Sequence, residues 1–268
     1  MIFSLIIIIG IFLYINNNKL SINTIVYENH KIQTDFNGFK IIHLSDLHNK
    51  SFGKNQSKLI TKINTLNPDI IVITGDIINS YKKDTNNAFV LLKELIKLYP
   101  IYYVPGNHEA RRSDYQKLLL NIENLGIIVL NNTTCSININ NSKINIYGLE
   151  YDFFNYKNHF STDILKSVDE KYFNILLSHG PHYFDYYAKF KFDLIFSGHE
   201  HGGQFRIPFI KKGIYAPSEG LFPKFSEGIH KKHNSTLIVS RGLGNSRFPF
   251  RLFNLPEVLL IEFKTSKF

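Results

Sequence analysis

The sequence predicts one α/β domain, and three observations predict it. Short runs of β-branched and aliphatic residues alternate with amphipathic stretches at helical spacing. Five of the apolar runs end in a compact polar block, as buried strands do where the chain leaves a sheet. The chain has 268 residues and 44% hydrophobic content, enough to bury the core of such a domain.

In order along the chain, an uncharged apolar stretch over 2–15 comes first, followed by a strand at Ile41-Ile42. A helix over 56–66 is stopped by Asn67-Pro68, because the residue before proline is turned away from helical geometry. The run Ile70-Ile71-Val72-Ile73 reads as a strand, 86–98 as a helix, and Ile101-Tyr102-Tyr103-Val104 as the next strand. A third helix over 113–125 is capped by Gly126. Alternating runs between 127 and 149 read as a strand and a hairpin, and 162–168 as a short helix. Ile175-Leu176-Leu177 and Leu194-Ile195-Phe196 are buried strands, and 236–240 and 258–263 read as late strands of a second sheet.

The polar blocks carry the chemistry. They are Asp46-Leu47-His48, Gly75-Asp76, Gly106-Asn107-His108-Glu109, His179 and Gly198-His199-Glu200-His201. Each falls at the C-terminal end of an expected strand, the edge where open α/β sheets bind ligands. Carboxylate, imidazole and amide groups without thiolate suit hard or borderline divalent cations. They outnumber what one ion needs, so two adjacent ions are the economical reading. Taken singly, Asp46 or Asp76 would equally suit a helix cap or a turn. Glu109 either orients a neighbouring imidazole or begins the next helix. Glu200, between two ligand candidates, is expected to point elsewhere, and His43 to be a satisfied core histidine. His30, His159, His182, His230 and His233 are left as structural or surface residues, His182 being the nearest outsider.

These blocks, in this order, resemble the calcineurin-like metallophosphoesterase superfamily. Gly198-His199-Glu200-His201-Gly202-Gly203-Gln204, and Arg241-Gly242-Leu243-Gly244 followed by Pro249-Phe250-Arg251-Leu252-Phe253-Asn254, resemble its membrane-associated bacterial branch of phosphodiesterases. The resemblance runs from about residue 24 to 264. It implies a four-layer α/β/β/α sandwich with two mixed β-sheets. It also implies one ion held by Asp46, His48 and His201, a second by Asn107, His179 and His199, and Asp76 bridging them. His108 would face the substrate phosphate without ligating. Two such cations acidify a shared water to a bridging hydroxide and clamp the oxygens of an in-line displacement. A histidine beside them can give a proton to the leaving oxygen. Mixed O/N ligation suits Mn, Fe, Zn or Co.

The N-terminal stretch is shorter than the roughly 20 residues of an upright membrane helix. It has neither a basic segment before it nor a small-residue cleavage site after it. Residues 1–18 are therefore expected to be an uncleaved single-pass anchor to the cell membrane, and 19–268 the catalytic domain. The side is open: Lys19 favours a cytoplasmic domain, whereas the resembled branch is often exported. Within the domain, 204–235 breaks the alternation. Its Arg206, Lys211, Lys212, Lys224, Lys231 and Lys232 face only Glu219 and Glu227, with Phe205, Phe209, Tyr215, Phe222 and Phe225 between them. A basic, aromatic cap over an anionic substrate is expected there, against a solvated loop packed by its own rings.

The formal net charge of +9 suits an anionic membrane surface, and no nucleic-acid-binding module is visible. A single cysteine, Cys135, excludes a disulfide framework and a thiolate metal site. The expected function is hydrolysis of phosphodiester bonds, lipid-linked or in a nucleotide-lipid pyrophosphate, by a membrane-associated dinuclear-metal enzyme. The alternatives are a metal-dependent nuclease, a UDP-2,3-diacylglucosamine diphosphatase-like hydrolase suggested by family enzymes, and a membrane-tethered binding protein with an inactive site.

Overall fold

The structure is a computed structural model describing residues 2–151, 163–208, 212–245 and 248–266. Its elements run α1 (Ile2–Asn18), β1 (Ser21–Asn29), β2 (Lys40–Leu44), α2 (Ser57–Leu66), β3 (Ile70–Thr74), α3 (Asn86–Leu95), β4 (Ile101–Val104), α4 (Asn107–Ala110), α5 (Tyr115–Glu123) and β5 (Ile128–Val129). They continue β6 (Thr133–Ile139), β7 (Ser142–Leu149), α6 (Asp163–Lys166), β8 (Phe173–Ser178), α7 (Phe184–Tyr187) and β9 (Leu194–Ser197). Four two-residue strands follow: β10 (Arg206–Ile207), β11 (Lys212–Gly213), β12 (Tyr215–Ala216) and β13 (Gly220–Leu221). Last come β14 (Gly228–Lys232), β15 (Ser235–Val239) and β16 (Glu257–Thr265).

Two six-stranded mixed sheets, ordered β1-β16-β2-β3-β4-β5 and β14-β15-β9-β8-β7-β6, form the centre. The period of two along each strand divides the apolar residues between two cores. In β3, Ile70 and Val72 face the second sheet, while Ile71 and Ile73 face Leu59 and Ile63 of α2 and Leu91 and Leu95 of α3. In β9, Leu194 and Phe196 close the same intersheet core, and Ile195 packs outward with Phe184 and Tyr187 of α7. Helices thus cover both outer faces. The expected helices over 56–66, 86–98 and 113–125 appear as α2, α3 and α5. Asn67 takes the left-handed conformation after α2, and the Gly126 N–H donates to Glu123 O at 2.8 Å after α5.

One strand is placed differently from the expectation. The 258–263 segment becomes β16 in the first sheet, parallel to β1 and antiparallel to β2. Both its faces are apolar: Leu259, Ile261 and Phe263 enter the intersheet core, and Val258 and Leu260 enter the α2/α3 layer. A strand buried on both faces belongs inside a sheet.

Among the described residues no helix is long and apolar enough to cross a membrane. The 17 residues of α1 span about 25 Å at 1.5 Å per residue, so the expected single-pass span has no support in the fold. The C-terminal end of α1 is fixed to the body. Asn17 Oδ1 accepts from Asn245 Nδ2 at 2.8 Å and from the Arg251 backbone N–H at 3.2 Å. Lys50 Nζ donates to the Asn17 carbonyl, and the Phe12 and Phe253 rings lie 5.2 Å apart. Part of the expected cap is also sheet: Lys231 and Lys232 lie on β14, the edge strand of the second sheet. Phe209, Lys211, His159 and Thr162 lie outside the described residues.

Candidate metal centre

Five strands deliver the polar blocks to one edge: β2 to Asp46 and His48, β3 to Asp76, β4 to Asn107 and His108, β8 to His179, and β9 to His199 and His201. The loops interlock. Asp46 Oδ2 accepts from Ser45 Oγ at 2.6 Å and from the His199 N–H at 3.0 Å. Asp76 Oδ1 accepts from the His108 N–H at 2.7 Å. A Cβ on Gly106 would lie 2.3 Å from Asp76 Oδ1, and one on Gly198 1.8 Å from Ser45 Oγ. The glycines before Asn107 and His199 are therefore steric requirements of carboxylates seated against the neighbouring loop. Asp46, His48, Asp76, His199 and His201 all have positive φ, between 49° and 72°, a region that costs non-glycine residues energy and clusters at functional sites.

The side chains form overlapping groups: Asp46, His48 and His201; Asp76, His179 and His199; and His48, Asp76 and His108. His48 Nε2 and His201 Nε2 are 3.2 Å apart, and His201 Nε2 is 3.4 Å from Asp46 Oδ1. His179 Nε2 lies 3.3 Å from Asp76 Oδ2, 3.1 Å from Asn107 Oδ1 and 3.0 Å from His199 Nδ1. His179 Nδ1 donates to the Thr74 carbonyl at 2.6 Å, which in the neutral ring leaves the Nε2 lone pair free for a cation. With neutral imidazoles, ring nitrogens, carboxylate oxygens and the Asn107 amide oxygen converge as acceptors. Turning the Asn107 amide would bring its NH2 within 2.8 Å of His199 Nδ1, but a cation satisfies all the acceptors at once. The donor set fits a divalent ion in each group.

Charge follows from burial and proximity. Burial lowers His48 to about 3 and holds His199 and His201 well below the ordinary imidazole range. All three are therefore the neutral, ligating form. Burial raises the Asp46 carboxyl to about 6. Burial opposes ionisation of Asp76 and His179 too, but their mutual attraction outweighs it, holding Asp76 well down and raising His179 to about 10. His43 is buried between the sheets, bonded through Nε2 to Thr74 Oγ1 at 2.8 Å, and burial lowers it to about 3. It is the core histidine expected from sequence, though its buried Nδ1 has no hydrogen-bond partner among the described residues.

His108 and Glu109 have separate duties. The Ser80 N–H donates to His108 Nδ1 at 3.1 Å, so the neutral ring carries its proton on Nε2, which stands 3.9 Å from Asp76 Oδ2. Of the two readings left open for Glu109, the second describes its place. It begins the single turn of α4 and accepts from the Asp76, Gly106 and Ile78 N–H groups at 2.7, 2.8 and 3.1 Å. One carboxylate therefore ties the Asp76 loop to the Asn107 loop. Arg251 is fully buried and donates to the Gly244 and Arg241 carbonyls at 2.6 and 2.8 Å. It braces the turn from which the Gly244 N–H reaches Asp46 O at 2.6 Å.

Above the groups lies a pocket of about 200 Å³ lined by Asp76, Asn107, His108, His199 and His201 together with Tyr81, Arg111, Tyr151, Glu200, Tyr215, Ser218 and Phe248. Burial raises Glu200 to about 7, and its Oε2 accepts from the Ser218 N–H at 3.3 Å. It borders the pocket without joining a metal group, and among the described residues His182, His30, His230 and His233 do neither. The sequence missed Arg111, the arginine that lines this pocket among the described residues; its signal was available, three residues after His108 at the end of the same short helical turn. Among the described residues Tyr215 is the expected cap aromatic that lines the pocket, while Arg206 pairs with Glu227 and Lys232 with Asp185.

The sequence pattern of the calcineurin-like phosphoesterase family matches residues 39–203, which carry all the metal-facing blocks. The chain belongs to this family. It is similar to two Bacillus subtilis metallophosphoesterases. YkoQ is 28% identical over 91% of this chain and 90% of that protein, and YkuE 29% identical over 86% and 81%. A bovine protein named as a transmembrane protein with metallophosphoesterase domain is 26% identical, over 89% of this chain and 56% of its own length. As a family member the chain is a metal-dependent phosphoester hydrolase, and its Asp/His clusters fit a dinuclear divalent centre.

Proposed function

We propose that this chain is a membrane-associated dinuclear phosphodiesterase acting on an amphiphilic anionic phosphoester. The observation that carries the reading is the make-up of the pocket: metal-facing groups at its floor, Arg111 in its wall, and Tyr81, Tyr215 and Phe248 at its rim. Asp46, His48 and His201 would hold one ion and Asn107, His179 and His199 the other, with Asp76 placed between them to serve both. The ions are Mn, Fe, Zn or Co. When bound they supply an acidified water and positive charge for the phosphoryl oxygens. His108 presents its Nε2 proton to the leaving oxygen. Arg111 pairs with a non-bridging oxygen, a charge-assisted contact suited to guanidinium. The aromatic rim receives the apolar remainder of the substrate.

Residues 1–18 provide the membrane contact, dipping into the bilayer rather than crossing it, and 19–268 form the catalytic domain, with the first part of 204–235 as the rim. The apolar surface of α1 and the bovine relative's name both support membrane association. The test is turnover by the purified, metal-reconstituted chain of lipid phosphodiesters, nucleotide-lipid pyrophosphates, a soluble nitrophenyl diester and DNA. Lipid-linked diesters should give the highest kcat/KM, and Arg111→Ala should raise KM for them more than it lowers kcat. A preference for DNA would transfer the chain to the nucleases, and absence of turnover on every substrate would leave a binding protein.

A further inference from the structure

The mouth of the pocket and the docking point of α1 lie on one short segment. Phe248 lines the pocket and is 48% exposed, and Phe253 is 51% exposed with its ring 5.2 Å from Phe12 of α1. Between them the Arg251 N–H holds Asn17. Five residues of chain span at most about 17 Å, so the pocket lip lies within that distance of the helix. α1 is apolar on all sides, with Ile2, Phe3, Leu5, Ile6 and Ile8 each more than half exposed, a surface that water does not tolerate on a helix without a partner. Its Asn16–Asn18 end is fixed to the body, so only its N-terminal turns can enter an apolar phase. Lys19 at that end, and a net +9, complement anionic headgroups. Rings of the rim are side chains suited to a water–lipid boundary.

Resting on the membrane reading above, we infer that the catalytic mouth faces an anionic lipid bilayer, with Phe248 and Phe253 seated at the lipid interface beside α1. The phosphoester then enters from the membrane surface, and the body cannot turn its pocket to bulk water while α1 is inserted.

The chain contains no tryptophan, so a single introduced indole reports its own depth. Phe3→Trp, Phe248→Trp, Phe253→Trp and Ile128→Trp are each made in the full chain and mixed with phosphatidylglycerol-containing vesicles brominated on the acyl chains. Ile128 is on β5, at the far edge of the first sheet from β1, about 24 Å away at the usual strand spacing. Phe248 and Phe253 are half exposed, so an indole fits at either. The expected result is loss of emission at 3, 248 and 253 with emission at 128 unchanged. Quenching at 3 but at neither 248 nor 253 would overturn the orientation and leave the anchor standing. No quenching at 3 would overturn both.

Discussion

Replacing Glu109 by Gln should change stability in opposite directions with and without metal. Glu109 is fully buried, and burial first, then the Asp76 carboxylate, raise it from 4.5 to about 7. In the metal-free protein the fold therefore prefers the neutral acid. That preference contributes stability fully present below the unfolded value of 4.5 and lost as pH rises through about 7. At about 1.4 kcal/mol per pH unit this amounts to roughly 3 kcal/mol. Gln cannot ionise, so metal-free Glu109→Gln should match wild type at about pH 5. At about pH 8 it should melt higher by roughly 6–12 °C, taking 2–4 °C per kcal/mol for a chain of this size. Cations beside Asp76 reverse the electrostatics. Glu109 then ionises, and its three backbone N–H contacts become charge-assisted. The amide NH2 of Gln would oppose one of them, costing about 1.5–3 kcal/mol, so the loaded variant should melt below wild type. Thermal unfolding of both proteins, chelated and loaded, at the two pH values checks this. A penalty of one sign and size in all four conditions would refute the coupling between this carboxylate and the ions.

Two further outcomes follow from the same geometry. His108→Ala should keep its metal content while kcat falls by about 10²–10⁴-fold for poor leaving groups, and less with nitrophenolate; equal losses for both would leave His108 no proton-donor role. Asp76→Asn should lose both ions by elemental analysis, because Asp76 stands beside His48 of one group and His179 of the other, whereas His48→Ala should lose mainly one; fewer than two ions in saturated wild type would remove the dinuclear reading.

What was legible in the sequence was whatever the chain writes contiguously. Each metal-facing block directly follows the strand that delivers it, so a strand pattern and a residue type together located Asp46, Asp76, Asn107, His179 and His199 at the strand ends, along the C-terminal edges of the two facing sheets. The order of strands in space is not written that way. The sequence places β16 late in the chain and gives no local sign that it enters between β1 and β2. That position comes from apolar residues on both faces, and the period of two does not say which sheet they serve. The pocket wall was illegible for a similar reason. Tyr81, Arg111, Tyr151, Ser218 and Phe248 come from five separate loops, and nothing in their local sequence marks them as neighbours. The charge count over 204–235 misled because its cations were counted without their partners. Arg206 and Lys232 are paired to carboxylates, and among the described residues the arginine that lines the pocket is Arg111.

The glycines and the strained ligands argue that the site's geometry is imposed by the fold before any ion arrives. A loop free to relax would not keep Asp46, His48, Asp76, His199 and His201 at positive φ, at roughly 1 kcal/mol or more each. They are kept there by contacts that do not involve the lone pairs aimed inward: Glu109 on the Asp76 and Gly106 amides, Ser45 and the His199 N–H on Asp46, and Arg251 on the 241–244 turn. The Asp46 and Asp76 carboxylates raise each other's energy when both are ionised, so this scaffold holds a pair that positive charge between them relieves. Arg251 also joins this bracing to the N-terminal helix. Its side chain steadies the turn behind Asp46, and its backbone N–H holds Asn17 at the foot of α1. The apolar helix, which supplies no ligand, is therefore fastened to the same turn that fixes the first of the metal-facing carboxylates.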